Sequence, residues 1–107
     1  MWMNTVGEGK YKTWVRKEKI GDDLLIIVGG GEKTHIGSII ICEPSKKTRV
    51  IKMGRHKDHI ILKPIAEKAS KKYKTKTIAL GGIHIDFASD KEIKKILDNC
   101  RRLAECI

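Results

Sequence analysis

Four histidines carry most of the chemistry this sequence can offer, and each stands in a glycine-marked turn after or between candidate strands. None lies inside an apolar run. His35 follows Gly29-Gly30-Gly31-Glu32-Lys33-Thr34 and precedes Ile36-Gly37; His56 and His59 lie in Gly54-Arg55-His56-Lys57-Asp58-His59; His84 lies in Gly81-Gly82-Ile83-His84-Ile85-Asp86. Imidazole changes charge near neutral pH, so such residues can bind a ligand or move a proton. His84 and Asp86, two apart on an extended segment, point to the same side. Asp86 then fixes the tautomer of a functional His84 or, in purely structural terms, orients a half-buried ring or caps the following helix. Successive glycines at 29–31 let a ligand approach the main chain, and consecutive N–H groups can form an anion nest. A long glycine-rich hairpin loop is the structural alternative.

Several chemistries are disfavoured by spacing. No Gly-Lys-Ser/Thr follows the glycines and no helix opens directly after them, so neither a Walker loop nor a dinucleotide fingerprint is present. Metal binding is the weaker reading, because there is no HxH or HExxH pair and His56 and His59 sit beside Arg55 and Lys57. Cys42 falls in an apolar strand and Cys100 and Cys106 on the terminal helix, away from the histidines, and no serine stands in a nucleophile elbow.

The chain has 107 residues and a net charge of +10, which fits one domain and favours an anionic partner: a phosphorylated small molecule, a nucleic acid or an acidic surface. Lysines are spread among acidic residues, and the few aromatics do not alternate with them on a stacking strand, so nucleic acid is the least favoured of these. Three cysteines without a CxxC pair suit a reduced, cytoplasmic protein, and no apolar run is long enough to span a bilayer. Abundant lysine, glutamate and isoleucine with no glutamine match the bias of heat-adapted proteins.

The elements that must position the histidines follow from patterning. Residues 1–10 read as a disordered N-terminal segment of a single 1–107 domain. Tyr11–Ile20, Leu24–Val28, Ile36–Cys42 and Thr48–Lys52 read as strands of a four-stranded meander, separated by Gly21-Asp22-Asp23, the triple glycine and Pro44-Ser45-Lys46-Lys47. Helical spacing runs from Asp58 to Tyr73, with Pro64 expected in the first turn. Thr77–Leu80 reads as a fifth, buried strand, and Ser89-Asp90-Lys91-Glu92 is a capping box opening a last helix. The order ββββαβα gives an α+β fold: a mixed sheet of about five strands with two helices on one face. If the strands of the meander alternate and the crossover makes strands four and five parallel, all four histidines share one sheet edge. Strands two and three look apolar on both faces while two helices cover one, so the other face is expected to pack against another subunit, making a homo-oligomer.

Gly21-Asp22-Asp23-Leu24-Leu25 through Gly29-Gly30, then His35-Ile36-Gly37, then Gly81-Gly82-Ile83-His84-Ile85-Asp86 together resemble the LpdD-like prenylated-flavin chaperones, small subunits associated with gallate and related hydroxyarylate decarboxylases. The resemblance runs from about Tyr11 to Ile96. It implies a non-catalytic accessory protein that binds prenylated FMN and helps a UbiD-type decarboxylase acquire or mature it. It further implies that Gly29, Gly30, Gly31 and Lys33 take the flavin phosphate, with His56 and Lys57 adding positive charge there. His35, His84 and Asp86 would meet the polar edge of the isoalloxazine, with Gly37 and Gly82 in the same motifs. Thr34 stands where relatives are expected to carry proline. The alternative of a different class is a small enzyme acting on a phosphorylated metabolite with His84 and Asp86 as its acid–base pair.

Overall fold

The computed structural model describes residues 2–54 and 57–107. The elements run β1 (Trp2–Val6), β2 (Thr13–Ile20), β3 (Asp23–Gly30), β4 (Lys33–Cys42), β5 (Arg49–Lys52), α1 (His59–Tyr73), β6 (Thr77–His84) and α2 (Asp90–Glu105). They build one six-stranded mixed sheet, in the order β1-β2-β3-β6-β4-β5. The α+β class is as expected, with one strand more. Trp2–Val6, read above as disordered, forms an edge strand antiparallel to β2. Its signal is weak in sequence because only Val6 of the five is buried.

The four-strand meander does not form. β6 inserts between β3 and β4, parallel to β3 and antiparallel to β4. The strand that gains is β6, apolar on both faces, which takes a central place with a hydrogen-bonded neighbour on each side. β5 and β6 run in the same direction, as anticipated, but with β4 between them. The glycine turn after β3 must therefore cross the end of β6. It does so at Gly31, where φ is +72° and a Cβ would sit 2.5 Å from the His84 carbonyl oxygen. No side chain fits that crossing.

Both helices pack on one face. Val15, Ile26, Val28, Ile40 and Ala79 of the sheet are buried against Leu62, Ile65, Ala66 and Ala69 of α1, with Leu103 of α2. That packing explains why α1 begins at His59 and carries Pro64 in its interior, not in the first turn as expected. An interior proline costs about 3 kcal/mol, while fully burying a Leu or Ile contributes roughly 1.5–3 kcal/mol each. The buried face of α1 outweighs the break. Among the described residues no helix is long and apolar enough to cross a membrane.

The capping box at the start of α2 forms as expected: the Glu92 N–H donates to Ser89 Oγ at 3.2 Å and the Ser89 N–H to Glu92 Oε1 at 3.1 Å. Glu92 also accepts from Tyr11 Oη at 3.1 Å and pairs with Lys10 Nζ at 2.6 Å, joining α2 to the segment before β2. The Lys10 ammonium, then the Ser89 amide and the Tyr11 hydroxyl, lower the Glu92 carboxyl to about 2. A depressed folded-state value contributes stability above the unfolded carboxylate range that is lost as pH falls through the folded value. Glu92→Gln should therefore melt at a lower temperature than the parent at neutral pH, with the difference shrinking as pH falls from about 4.5 towards about 2. Thermal melts of both proteins across that range check it.

Candidate functional site

The edge where β3 and β6 end and β4 begins gathers the chemistry. β4 pairs with β6 at Lys33↔His84 and Thr34↔Ile83, then resumes at Ser38↔Gly81. Three β4 residues, His35, Ile36 and Gly37, thus face Gly82 alone. Such bulges kink a strand and re-aim a side chain, and here the kink turns His35 towards β6. The His35 and His84 rings meet edge to face with centroids 6.1 Å apart.

Both of these rings face a carboxylate. His84 Nε2 donates to Asp86 Oδ1 at 2.8 Å, in a pair that is largely exposed. Because an ionised carboxylate can only accept, this pairing favours the tautomer with the proton on Nε2. The partner of His35 is Asp58, whose Oδ2 lies 3.5 Å from His35 Nε2. Asp58 is 7% exposed and its Oδ1 accepts the Ile83 N–H at 3.0 Å. Two elements are tied by one carboxylate.

Asp58 is the residue that sequence reasoning missed. An acidic residue ahead of a helical run reads as an N-cap, but its side chain makes no cap hydrogen bond; only its carbonyl does, accepting from the N–H groups of Ile61 at 3.0 Å and Leu62 at 2.9 Å. The signal that could have exposed it is Gly37 and Gly82. A Cβ at Gly82 would stand 2.8 Å from Asp58 Oδ2 and 3.0 Å from His35 Nε2, and one at Gly37 would overlap the same carboxylate oxygen. These glycines make room for the buried Asp58 carboxylate and the half-buried His35 ring beside it.

The glycine turn does not offer an anion nest. The Gly30 N–H donates to Thr34 Oγ1 at 3.1 Å, Gly31 N–H to the Lys12 carbonyl at 2.9 Å and Glu32 N–H to the His84 carbonyl at 2.8 Å. All three amides are engaged within the fold, and Gly29 is packed under Trp14 and Thr34. The Thr34 hydroxyl closes the turn. Positive charge near the site comes instead from Lys33, directly across from His84, and from Lys57. His59 opens α1 beside Asp58, and among the described residues its buried Nδ1 has no hydrogen-bond partner. His56 lies outside the described residues.

A groove of about 380 Å3 opens between the end of β6 and the first turns of the helices. Ile60, Ile61, Ile83, Ile85, Ile93 and Leu97 line it, with Lys57, Asp58 and His84 supplying its polar groups. This is within the roughly 300–1,000 Å3 range of small-ligand sites, and the apolar lining with a few polar groups is their usual make-up. A larger cleft of about 860 Å3 lies at the opposite edge but contains none of these groups. There Lys17 Nζ sits 4.3 Å from the Trp2 ring centre and 4.9 Å from that of Tyr73, and donates to Tyr73 Oη at 2.9 Å. The protein's own ammonium occupies those rings.

Among the described residues no group of three or more His, Cys, Asp or Glu side chains is arranged to hold a metal ion. Burial, followed by the Asp58 carboxylate, pushes the Cys100 thiol up to about 12, and burial raises Cys42 as well. Neither supplies a thiolate nucleophile. The edge brings together paired imidazoles, two lysines and apolar walls.

The family model of the prenylated flavin chaperone LpdD-like domain matches residues 7–107. The chain belongs to this family. No curated protein is similar enough to match the sequence. Among solved structures the LpdD-like chain is similar to one in the crystal structure of a chaperone complex for yeast 20S proteasome assembly. That match has a TM-score of 0.57 and 15% identity, over 99% of this chain and 93% of the other. At that identity the likeness concerns the fold.

Removing the Asp58 carboxylate should leave the partly buried Ile83 amide unpaired. Asp58→Ala should lose about 1–3 kcal/mol in urea denaturation, and Asp58→Asn, which keeps an acceptor, less. Gly37→Ala should be costly in the parent and largely tolerated in the Asp58→Ala background, because the added methyl meets that carboxylate. A double-mutant cycle measures this coupling.

Proposed function

We propose that this LpdD-like protein binds prenylated FMN at the His35–His84 edge and helps deliver it to, or mature it in, a UbiD-type decarboxylase. The groove carries the reading, because its apolar walls meet the His84 imidazole, the Asp58 carboxylate and Lys57, with Lys33 paired across from His84 and the His35 ring edge-on to it. A prenylated flavin has matching parts: a broad ring system with an added hydrocarbon ring, a polar pyrimidine edge and a phosphate. Ile60, Ile83 and Ile85 would cover the hydrocarbon, and His35 and His84 would hydrogen-bond the polar edge. With the glycine amides engaged elsewhere, Lys33 and Lys57 would hold the phosphate. The flavin supplies redox and covalent chemistry once in the enzyme; this chain's residues bind, orient and shield it.

The exposed 2.8 Å pair of His84 and Asp86 also favours a second reading, acid–base catalysis on a phosphorylated metabolite. The two readings differ in turnover. A carrier takes up one equivalent and releases it unchanged or oxidised, whereas an enzyme converts excess substrate with a histidine-range pH profile.

Anaerobic titration with reduced prenylated FMN beside plain FMN, followed by absorbance and native mass spectrometry, tests the proposal. One prenylated flavin per chain, preferred over FMN, is expected. His84→Ala should weaken binding about tenfold, the equivalent of about 1.4 kcal/mol for one lost hydrogen bond. Failure of the parent to bind either flavin, or unchanged affinity in His84→Ala, would contradict it.

A further inference from the structure

The proline inside α1 borders a second cavity, of about 290 Å3, in the seam between the two helices. Ile60, Ile61 and Pro64 of α1 face Leu97, Cys100 and Ala104 of α2 across it. Among the described residues Arg101 is the one charged group in its lining. Its volume lies at the lower end of the range of small-ligand sites, which suits a single ring and is too small for a flavin. Two polar groups stand at its walls. Arg101 Nη1 pairs with Asp98 Oδ1 at 2.8 Å, with both side chains largely exposed. Exposed pairs of this kind hold weakly, and a guanidinium has five N–H donors, so Arg101 can take a second carboxylate. On α1, Pro64 has no N–H to donate to the Ile60 carbonyl four residues before it. Residues four apart share a helix face, which sets that acceptor between the two α1 residues of the wall.

We propose that this seam binds a small hydroxylated carboxylate with an apolar body the size of one ring. Its carboxylate pairs with Arg101, its body lies between Pro64 and Leu97, and its hydroxyl donates to the Ile60 carbonyl. The chemistry of the walls selects this class. A bare inorganic anion would leave the apolar walls against water, and a hydrocarbon would leave the guanidinium and the carbonyl without partners. A ligand with a charged group at one end and a donor at the other satisfies both helices at once. Packed helices stand about 8–10 Å apart, a span that a ring substituted at opposite ends can bridge. The seam shares Ile60, Ile61 and Leu97 with the groove at the site edge, but its occupancy does not depend on the flavin reading.

Amide NMR titrations of the full chain with 4-hydroxybenzoate, benzoate, phenol and acetate test it. The amides of Ile61, Leu97 and Arg101 should shift saturably with 4-hydroxybenzoate. Benzoate lacks the hydroxyl, phenol the carboxylate and acetate the body, and each should bind at least about fivefold more weakly. Arg101→Gln should weaken 4-hydroxybenzoate about tenfold, and Ala104→Leu, which fills the cavity, should abolish its binding. Far-UV circular dichroism establishes that each variant is folded. The ligand series is read on the parent chain, so the test stands whether or not a variant folds. No saturable shift at the seam up to the solubility of 4-hydroxybenzoate would overturn the proposal. Equal affinity for benzoate or phenol would do the same, as would equal affinity for acetate, the mark of nonspecific attraction to a chain of charge +10. Unchanged affinity in folded Arg101→Gln or Ala104→Leu would also overturn it.

Discussion

The buried carboxylate of Asp58 holds the site edge together. It accepts the Ile83 amide on β6, lies against His35 on β4 and belongs to the residue that precedes α1. A buried carboxylate is costly unless hydrogen-bonded and paired, so its position constrains its surroundings. β4 must bulge to bring His35 to it, and Gly37 and Gly82 must lack side chains to admit it. The same contact sets the mouth of the groove, because Asp58 lies between Lys57 and the apolar first turns of α1.

The insertion of β6 between β3 and β4 is the second constraint. It carries Ile83, His84 and Asp86 into the middle of the sheet edge, within reach of residues from β4 and α1. It also demands the Gly30-Gly31 crossing over the end of β6, where Glu32 donates to the His84 carbonyl. The histidine backbone is thereby pinned while its ring remains exposed. Rigid support beneath an accessible imidazole suits recognition of a bound group more than loose contact with it.

The shared histidine edge was legible in the sequence because it depends only on strand direction, and strand direction survives the change in strand order. His35 and His84 meet for that reason. The order itself was not legible: alternation says which way a strand runs, not which neighbour it takes, and the short loop after β3 suggested a hairpin where a crossing occurs. β1 escaped because four of its five residues are not buried. Asp58 escaped because its place before the helix is that of a cap, and only the packing shows its carboxylate turned to β6. The triple glycine suggested an anion nest for a physical reason, backbone freedom, that the fold uses instead for close backbone approach.

Membership of the prenylated flavin chaperone family and the geometry of this edge support one account: paired imidazoles and two lysines beside an apolar groove receive a modified flavin. Histidine side-chain NMR of the folded chain, recorded with and without one equivalent of reduced prenylated FMN under anaerobic conditions, tests it most directly. The account predicts that the His35 and His84 ring resonances shift on binding while the amides of Lys17 and Thr75 at the opposite edge stay in place. Binding that perturbs the opposite edge and leaves both rings unchanged would contradict it.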